Sequence, residues 1–196
     1  MCGNGSRCFA RFIQKVAGVQ GEFTFETIGG IVRAALQGER VTIHLMQPKD
    51  LRLEEKLTLN SGTQVVHSFT VGNPHTVVYV EDADKAMVQE MGREIRRHPH
   101  FAPAGINVNF VQKLAPGRIR VRTYERGVEG ETLACGTGVT TAALITAKLH
   151  QFPSPVQAQV QNGDVLEIGF AEKNGTFTDV TLTGPAKFVF EGRIEI

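Results

Sequence analysis

Two short turns of one design, Cys2-Gly3-Asn4-Gly5 and Cys135-Gly136-Thr137-Gly138, constrain this chain more than any other feature. Each stands at the head of a segment with helical periodicity. The first, over 6–18, places Phe9, Phe12, Ile13 and Val16 on one face and stops at Gly18; the second, over 137–150, offers Ala142, Ala143, Ile145 and Leu149 for burial. Ala10 and Ala143 keep the same offset as the two cysteines, 133 residues. A period of that length is no solenoid. It predicts two copies of one domain, each contributing a cysteine at a helix N-terminus.

The rest of the chain reads mostly as strands. Residues 22–28 and 40–46 alternate, and 31–36 between them could turn or pair. A polar connection is expected from Pro48 to about Leu59, then strands at 65–71 and 76–80. Residues 82–97 have the pattern of an amphipathic helix, with Met87, Met91 and Ile95 spaced by four. A hairpin over 106–114 and 118–124 turns at Pro116-Gly117, and the chain ends in a meander with turn signals at Asn162-Gly163, Asn174-Gly175 and Gly184-Pro185. Strand runs interrupted by single central helices predict an α+β fold: two pseudo-symmetric domains, each a mixed or antiparallel sheet wrapped around one helix.

Composition excludes several functions. With 21 Lys and Arg against 20 Asp and Glu, dispersed rather than blocked, there is no basic surface to argue for nucleic acid. No run approaches the ~18 apolar residues of a membrane helix, and the N-terminus lacks the apolar core of a signal peptide, so the default reading is cytoplasmic. Three cysteines make neither a disulfide framework nor a Cys-x-x-Cys redox motif, and no ligand spacing completes a metal site.

The chemistry lies in the paired turns. A thiol in the first turn of a helix meets unpaired backbone N–H groups and the positive end of the helix dipole. That environment is expected to lower its pKa from about 8.5 into the range of roughly 3.5–7.5. The glycines let an anion sit directly on those N–H donors. Two such turns facing each other could hold a carbon acid between a thiolate that takes its α-proton and a thiol that returns one to the opposite face, inverting the centre without a cofactor. Cys8, without matched glycines, reads as a small buried hydrophobe.

The segments MCGNGSRC (1–8), GNPH (72–75), INVNFVQ (106–112) and YERGVEGETLACGTG (124–138) together resemble diaminopimelate epimerases, in family order over nearly the whole chain. The proline racemase group shares the two-cysteine architecture but fits GNPH and YERG less well. The resemblance implies a cofactor- and metal-independent isomerase that interconverts LL- and meso-2,6-diaminopimelate on the route to lysine and peptidoglycan. It implies Cys2 and Cys135 as the acid/base pair. Gly3, Asn4, Gly136 and Thr137 would hold a substrate carboxylate, Asn73 and Asn107 would bind substrate, and His75 and Glu125 would order the reacting amino group. Arg126 would take the distal carboxylate.

It further implies a homodimer and two domains, 1–46 with 184–196 and 47–183. Family members carry several strands before the first Cys-Gly-Asn-Gly, so the expectation is an N-terminally truncated member with an incomplete first domain. Phe9, Phe12 and Ile13 would then lack cover. The competing readings are an inactive binding module that keeps the carboxylate-binding turns, and a racemase for another amino acid.

Overall fold

The computed structural model describes residues 2–194. Three α-helices and one mixed sheet account for the fold, which is α+β. Helix α1 spans Gly3–Ala17, α2 Val88–Arg96 and α3 Gly136–His150. The strands are β1 (Glu22–Thr27), β2 (Gly30–Gln37), β3 (Arg40–His44), β4 (Lys49–Leu59), β5 (Gly62–Val71), β6 (Asn73–Tyr79), β7 (Asn107–Ala115), β8 (Arg118–Glu125), β9 (Gly130–Thr132), β10 (Val156–Gln159), β11 (Val165–Lys173) and β12 (Thr176–Pro185). Among the described residues they form one sheet in the order β1-β2-β3-β12-β11-β10-β8-β7-β6-β5-β4, with β9 added beside β8. The β6–β7 and β8–β10 pairs are parallel and the others antiparallel. Among the described residues no helix is long and apolar enough to cross a membrane.

Helix α3 is the hub. Every residue from Gly136 to Ala147 is buried, as expected of a helix with small and apolar residues all round. It packs against β5, β6, β7, β8, β10, β11 and β12. Two of its threonines, Thr140 and Thr146, donate back to the carbonyls of Gly136 and Ala142 at 2.9 and 2.7 Å. Helix α2 lies against β7, β8, β9 and β4. There it covers a second apolar cluster built on Leu57, Leu59, Val66, Val78, Phe110 and Tyr124.

Helix α1 is the counterpart of α3 and has far less cover. It packs on β2, β3 and β12 and touches α3. The buried side is Gly3, Ser6, Arg7 and Ala10, not the aromatic side. Phe9 and Phe12 remain 46% and 49% exposed, and Phe9 meets Phe25 edge-on at 5.0 Å. Cys8 is exposed as well, against the expectation of a buried thiol.

Three local expectations are corrected and one open alternative is resolved. Residues 49–59 are a strand, not a polar connection, and pair with β5 through two register shifts. Residues 30–37 resolve to a strand between β1 and β3. The helix expected at 82–97 begins only at Val88; Met87 is its N-cap, 55% exposed, and the buried face is Val88, Gly92 and Ile95. Gly184-Pro185 is no turn: it ends β12, paired to Val41 and Arg40 of β3. The turns at 162–163 and 174–175 form as expected, the latter with Asn174 and Gly175 both at positive φ, 51° and 77°.

Candidate active site

The 133-residue register survives in three dimensions. Cys2 and Cys135 are the N-caps of α1 and α3, with φ/ψ of −110°/113° and −113°/107°. Each helix is 15 residues long. The two first turns abut at their glycines. A Cβ at Gly136 would stand 3.4 Å from the Gly3 Cα, and one at Gly3 would stand 3.6 Å from the Gly136 Cα. Leu182 of β12 packs over both, 2.8 and 3.0 Å from those same positions. Two helix N-termini thus converge, and beneath Leu182 there is little room for a side chain on either first turn.

A cavity of about 260 Å³ opens where they meet, lined by Cys2, Gly3, Asn4, Asn73, Glu125, Thr132, Ala134, Cys135, Gly136 and Thr137. The structure therefore brings together eight of the eleven residues singled out from the sequence. Asn4 ties the halves directly: its Nδ2 donates to the Ala134 carbonyl at 2.9 Å, and its Oδ1 accepts from the buried Arg7 guanidinium at 3.1 Å.

The other three stand behind the wall. His75 is fully buried beneath Thr137, with Nε2 2.9 Å from the Thr137 hydroxyl. Asn107 donates to the Pro74 carbonyl at 3.1 Å and accepts the Arg126 backbone N–H at 2.8 Å. Arg126 directs Nη1 to the carbonyls of Ala104 and Gly105, each at 3.3 Å.

The two sulfurs differ. Cys2 is exposed, and its Sγ accepts the Gly5 N–H at 3.4 Å. Cys135 is buried, with Sγ 3.6 Å from the Thr137 Oγ1. The depressed pKa expected of both thiols does not hold for Cys135. Burial pushes that thiol up, the nearby Glu125 adds to the rise, and the Thr137 hydroxyl opposes it. His75 is pushed down to about 3, first by burial and then by Arg126, so its ring is neutral.

Sequence reading missed Thr132 and Ala134, on the lead-in to Cys135, and Asn109, buried beside His75. A signal for Asn109 was present: it lies two residues from Asn107, hence on the same face of β7, among Val108, Phe110 and Val111. The lead-in is held by a two-pronged ion pair, Arg122 Nε and Nη2 to the Glu131 carboxylate, both at 2.7 Å.

Comparison with known proteins adds the following. The family model described as Diaminopimelate epimerase matches residues 67–189. A diaminopimelate epimerase of Aquifex aeolicus is 44% identical over 99% of this chain and 69% of its own length. That of Chlorobaculum tepidum is 37% identical over 100% of this chain and 75% of its own. Among solved structures, a Bacillus anthracis phenazine biosynthesis protein of the PhzF family superposes with TM-score 0.73 at 13% identity, covering 100% of this chain and 76% of that one. A hydroxyproline epimerase from Agrobacterium vitis with bound trans-4-hydroxy-L-proline gives 0.71 at 19% identity, over 94% and 63%. At such identities the superpositions establish a shared fold.

Proposed function

The chain belongs to the diaminopimelate epimerase family of isomerases, and from that premise we propose that it interconverts LL- and meso-2,6-diaminopimelate through Cys2 and Cys135. The observation that carries the reading is the pair of sulfurs at equivalent N-caps on the wall of one cavity. One sulfur, as thiolate, takes the proton from the substrate α-carbon. The other, as thiol, gives its proton to the opposite face of the same carbon. Each turnover leaves the protonation of the pair reversed, and the reverse reaction exchanges the roles. Burial and Glu125 favour the proton on Cys135 in one of these states, and Cys2 then abstracts.

The α-carboxylate would lie on the N–H groups of Gly3, Asn4, Gly136 and Thr137, where two helix dipoles converge. Charge that moves onto the carboxylate as the proton leaves is stabilised there, so the interaction strengthens toward the transition state. Asn73 and Glu125 line the same cavity and are assigned to the reacting amino group. His75, bonded to Thr137, is assigned to ordering the same amino group, Asn107 fixes the Arg126 backbone, and Arg126 is assigned the distal carboxylate, for which its fork suits. The reading needs no metal or cofactor.

Domain limits of 1–46 with 184–196 and 47–183 belong to the same proposal, as do a cytoplasmic location and a homodimer. Residues 1, 195 and 196 of those ranges lie outside the described residues.

The test is exchange in D₂O. Incubation with LL- or meso-diaminopimelate should put deuterium at the α-carbon, and Cys2→Ala or Cys135→Ala should abolish net epimerisation. Full activity in both variants would overturn the two-base assignment, and binding without exchange would favour a catalytically silent module. Faster exchange with proline than with diaminopimelate would move the substrate elsewhere.

A further inference from the structure

Beneath the cavity floor a line of buried polar side chains leads to the head of α3. Thr123 of β8, Asn109 of β7 and His75 of β6 are all buried, and they run toward Thr137 and Cys135 at the head of α3. The hydrogen bonds fix the direction of the whole line. Asn109 Nδ2 donates to the Thr76 carbonyl at 3.0 Å, and a carbonyl can only accept, so the amide orientation is settled. Asn109 Oδ1 in turn accepts the Thr123 hydroxyl at 2.9 Å.

The second Nδ2 hydrogen faces His75 Nδ1 at 3.4 Å. That nitrogen must therefore be the bare one, and the neutral ring carries its proton on Nε2. Nε2 donates to the Thr137 Oγ1 at 2.9 Å. With its oxygen occupied as acceptor, the Thr137 hydroxyl has its own hydrogen free for the Cys135 Sγ at 3.6 Å, a normal length for a bond to sulfur.

We propose that Asn109 and His75 are positioning residues that lock the Thr137 hydroxyl as a donor to Cys135, so that this buried sulfur can exist as the thiolate when the reaction calls on it as base. The inference rests on the two-cysteine reading for its purpose and on the hydrogen-bond directions for its substance. It answers a problem the site presents: a thiolate enclosed beside the Glu125 carboxylate and a second cysteine is disfavoured, and one aimed donor offsets part of that cost. The groups facing Cys135 are Glu125 from the end of β8, Cys2 from the head of α1, and His75 of β6 through Thr137. Arg126 bears on His75 and helps keep the ring neutral. Close packing protects the line, since a Cβ at Gly138 would fall on the Asn109 carbonyl oxygen and press on the His75 ring.

The test measures ionisation of each sulfur without turnover. Alkylation of the whole protein by iodoacetamide is followed across pH by peptide mass spectrometry, with Cys2 as internal reference. Thr137→Val and Asn109→Leu should each raise the midpoint for Cys135 by about one pH unit, a tenfold loss of thiolate at a given pH, and leave that for Cys2 in place. Thr137→Ser should restore it. In the unsubstituted protein, ¹⁵N resonances of His75 should show the Nε2–H tautomer.

An unmoved Cys135 midpoint in Thr137→Val, or a His75 proton on Nδ1, overturns the proposal. Both measurements stand if Asn109→Leu does not fold. A chain that never epimerises diaminopimelate can still show the shift, and an active epimerase can lack it, so the two readings fail separately.

Discussion

Adding one methyl group at Gly136 tests whether the converging glycines set the spacing of the two sulfurs. A Cβ there would lie 2.8 Å from the Leu182 Cδ2, 3.4 Å from the Gly3 Cα and 3.5 Å from the Asn4 Oδ1. The close contact is with the end of the fully buried Leu182 side chain, which must shift, while the Gly3 Cα and Asn4 Oδ1 lie at ordinary contact distance. Overpacking of this kind costs about 1–3 kcal/mol. Alanine returns at most about 1 kcal/mol of helix propensity, and less at the first helical position. The net expectation for Gly136→Ala is a loss of about 1–2 kcal/mol, or roughly 2–8 °C in Tm for a chain of this size.

The effect on rate should exceed the effect on stability. The methyl displaces Leu182, which packs over the heads of both α1 and α3, and misplacement of reacting groups by a fraction of an ångström to 1 Å costs about ten- to a hundredfold in kcat/KM. Gly5→Ala is the control, because its Cβ would meet the Cys2 Cβ and Sγ at an ordinary 3.6 Å. Adding Leu182→Ala to Gly136→Ala should cost less than the sum of the two single changes, since the same space is contested. Thermal unfolding and initial rates of α-proton exchange read both quantities. A Gly136→Ala protein with unchanged Tm and unchanged kcat/KM would refute the reasoning.

Three further outcomes are expected. His75 titrates near 3 in the fold against a reference of 6.5; its contribution to stability is complete above pH 6.5 and is lost as pH falls toward 3, so urea titrations of the native chain should lose up to ~1.4 kcal/mol per pH unit there that His75→Gln does not lose. Among the described residues no protein group bonds the buried Tyr124 hydroxyl, so Tyr124→Phe should leave the stability from urea unfolding unchanged or raise it by up to about 1 kcal/mol; a clear destabilisation would show a partner. Arg122→Lys gives up the two-pronged hold on Glu131 and the 2.9 Å bond to the Ala83 carbonyl; it should lower stability by about 1–2 kcal/mol and speed hydrogen exchange along β9, and equal protection would count against the clamp.

The parts of the fold that sequence made readable are those where one local rule decides. The cysteine-glycine turns, the two 15-residue helices and the hairpins at 116–117 and 174–175 each rest on a cap or a turn whose backbone demand is visible in the residues. Strand β4 was hidden by one inward charge. Leu51, Leu53, Leu57 and Leu59 keep a period of two, but Glu55 occupies the inward position between them. It is satisfied there by the Ser68 hydroxyl at 2.7 Å and by His100 at 2.8 Å, partners distant in sequence. Bulges at Asp50 and Glu54, both at positive φ, disguise the strand further.

Helix α2 was misplaced for a related reason. Its inner face contains Gly92, which no hydrophobic pattern scores, and which is needed there because a Cβ would collide with the Tyr124 ring. The aromatic face of α1 misled in the opposite sense. Phe9 and Phe12 have the spacing of a core stripe, yet the chain buries the polar-looking side, Ser6 and Arg7, because that side carries the small residues that let α1 approach α3 and β12. Within the site the same division holds. Residues on the two turns were readable from their motif, whereas Asn109 meets His75 and Thr123 from other strands, and Thr132 reaches the cavity through the pairing of β9 with β8.

What separates the two cysteines is supplied by the sheet, not by the repeat. Both sit at N-caps with the same backbone angles, and a helix dipole alone would treat them alike. The head of α3 is enclosed by β6, β7 and β8, which bring Glu125, His75 and Asn109 to bear on Cys135 and exclude water from it. Among the described residues α1 packs on β2, β3, β12 and α3, and Cys2 is exposed with the Gly5 N–H as donor. A pair of groups that must hold one proton between them works best when their surroundings favour one arrangement slightly and permit the other. Burial and Glu125 weigh toward the proton on Cys135, and the donor line ending at Thr137 weighs back. The near-symmetry of the turns places the sulfurs, and the asymmetry of what packs behind them sets which one holds the proton.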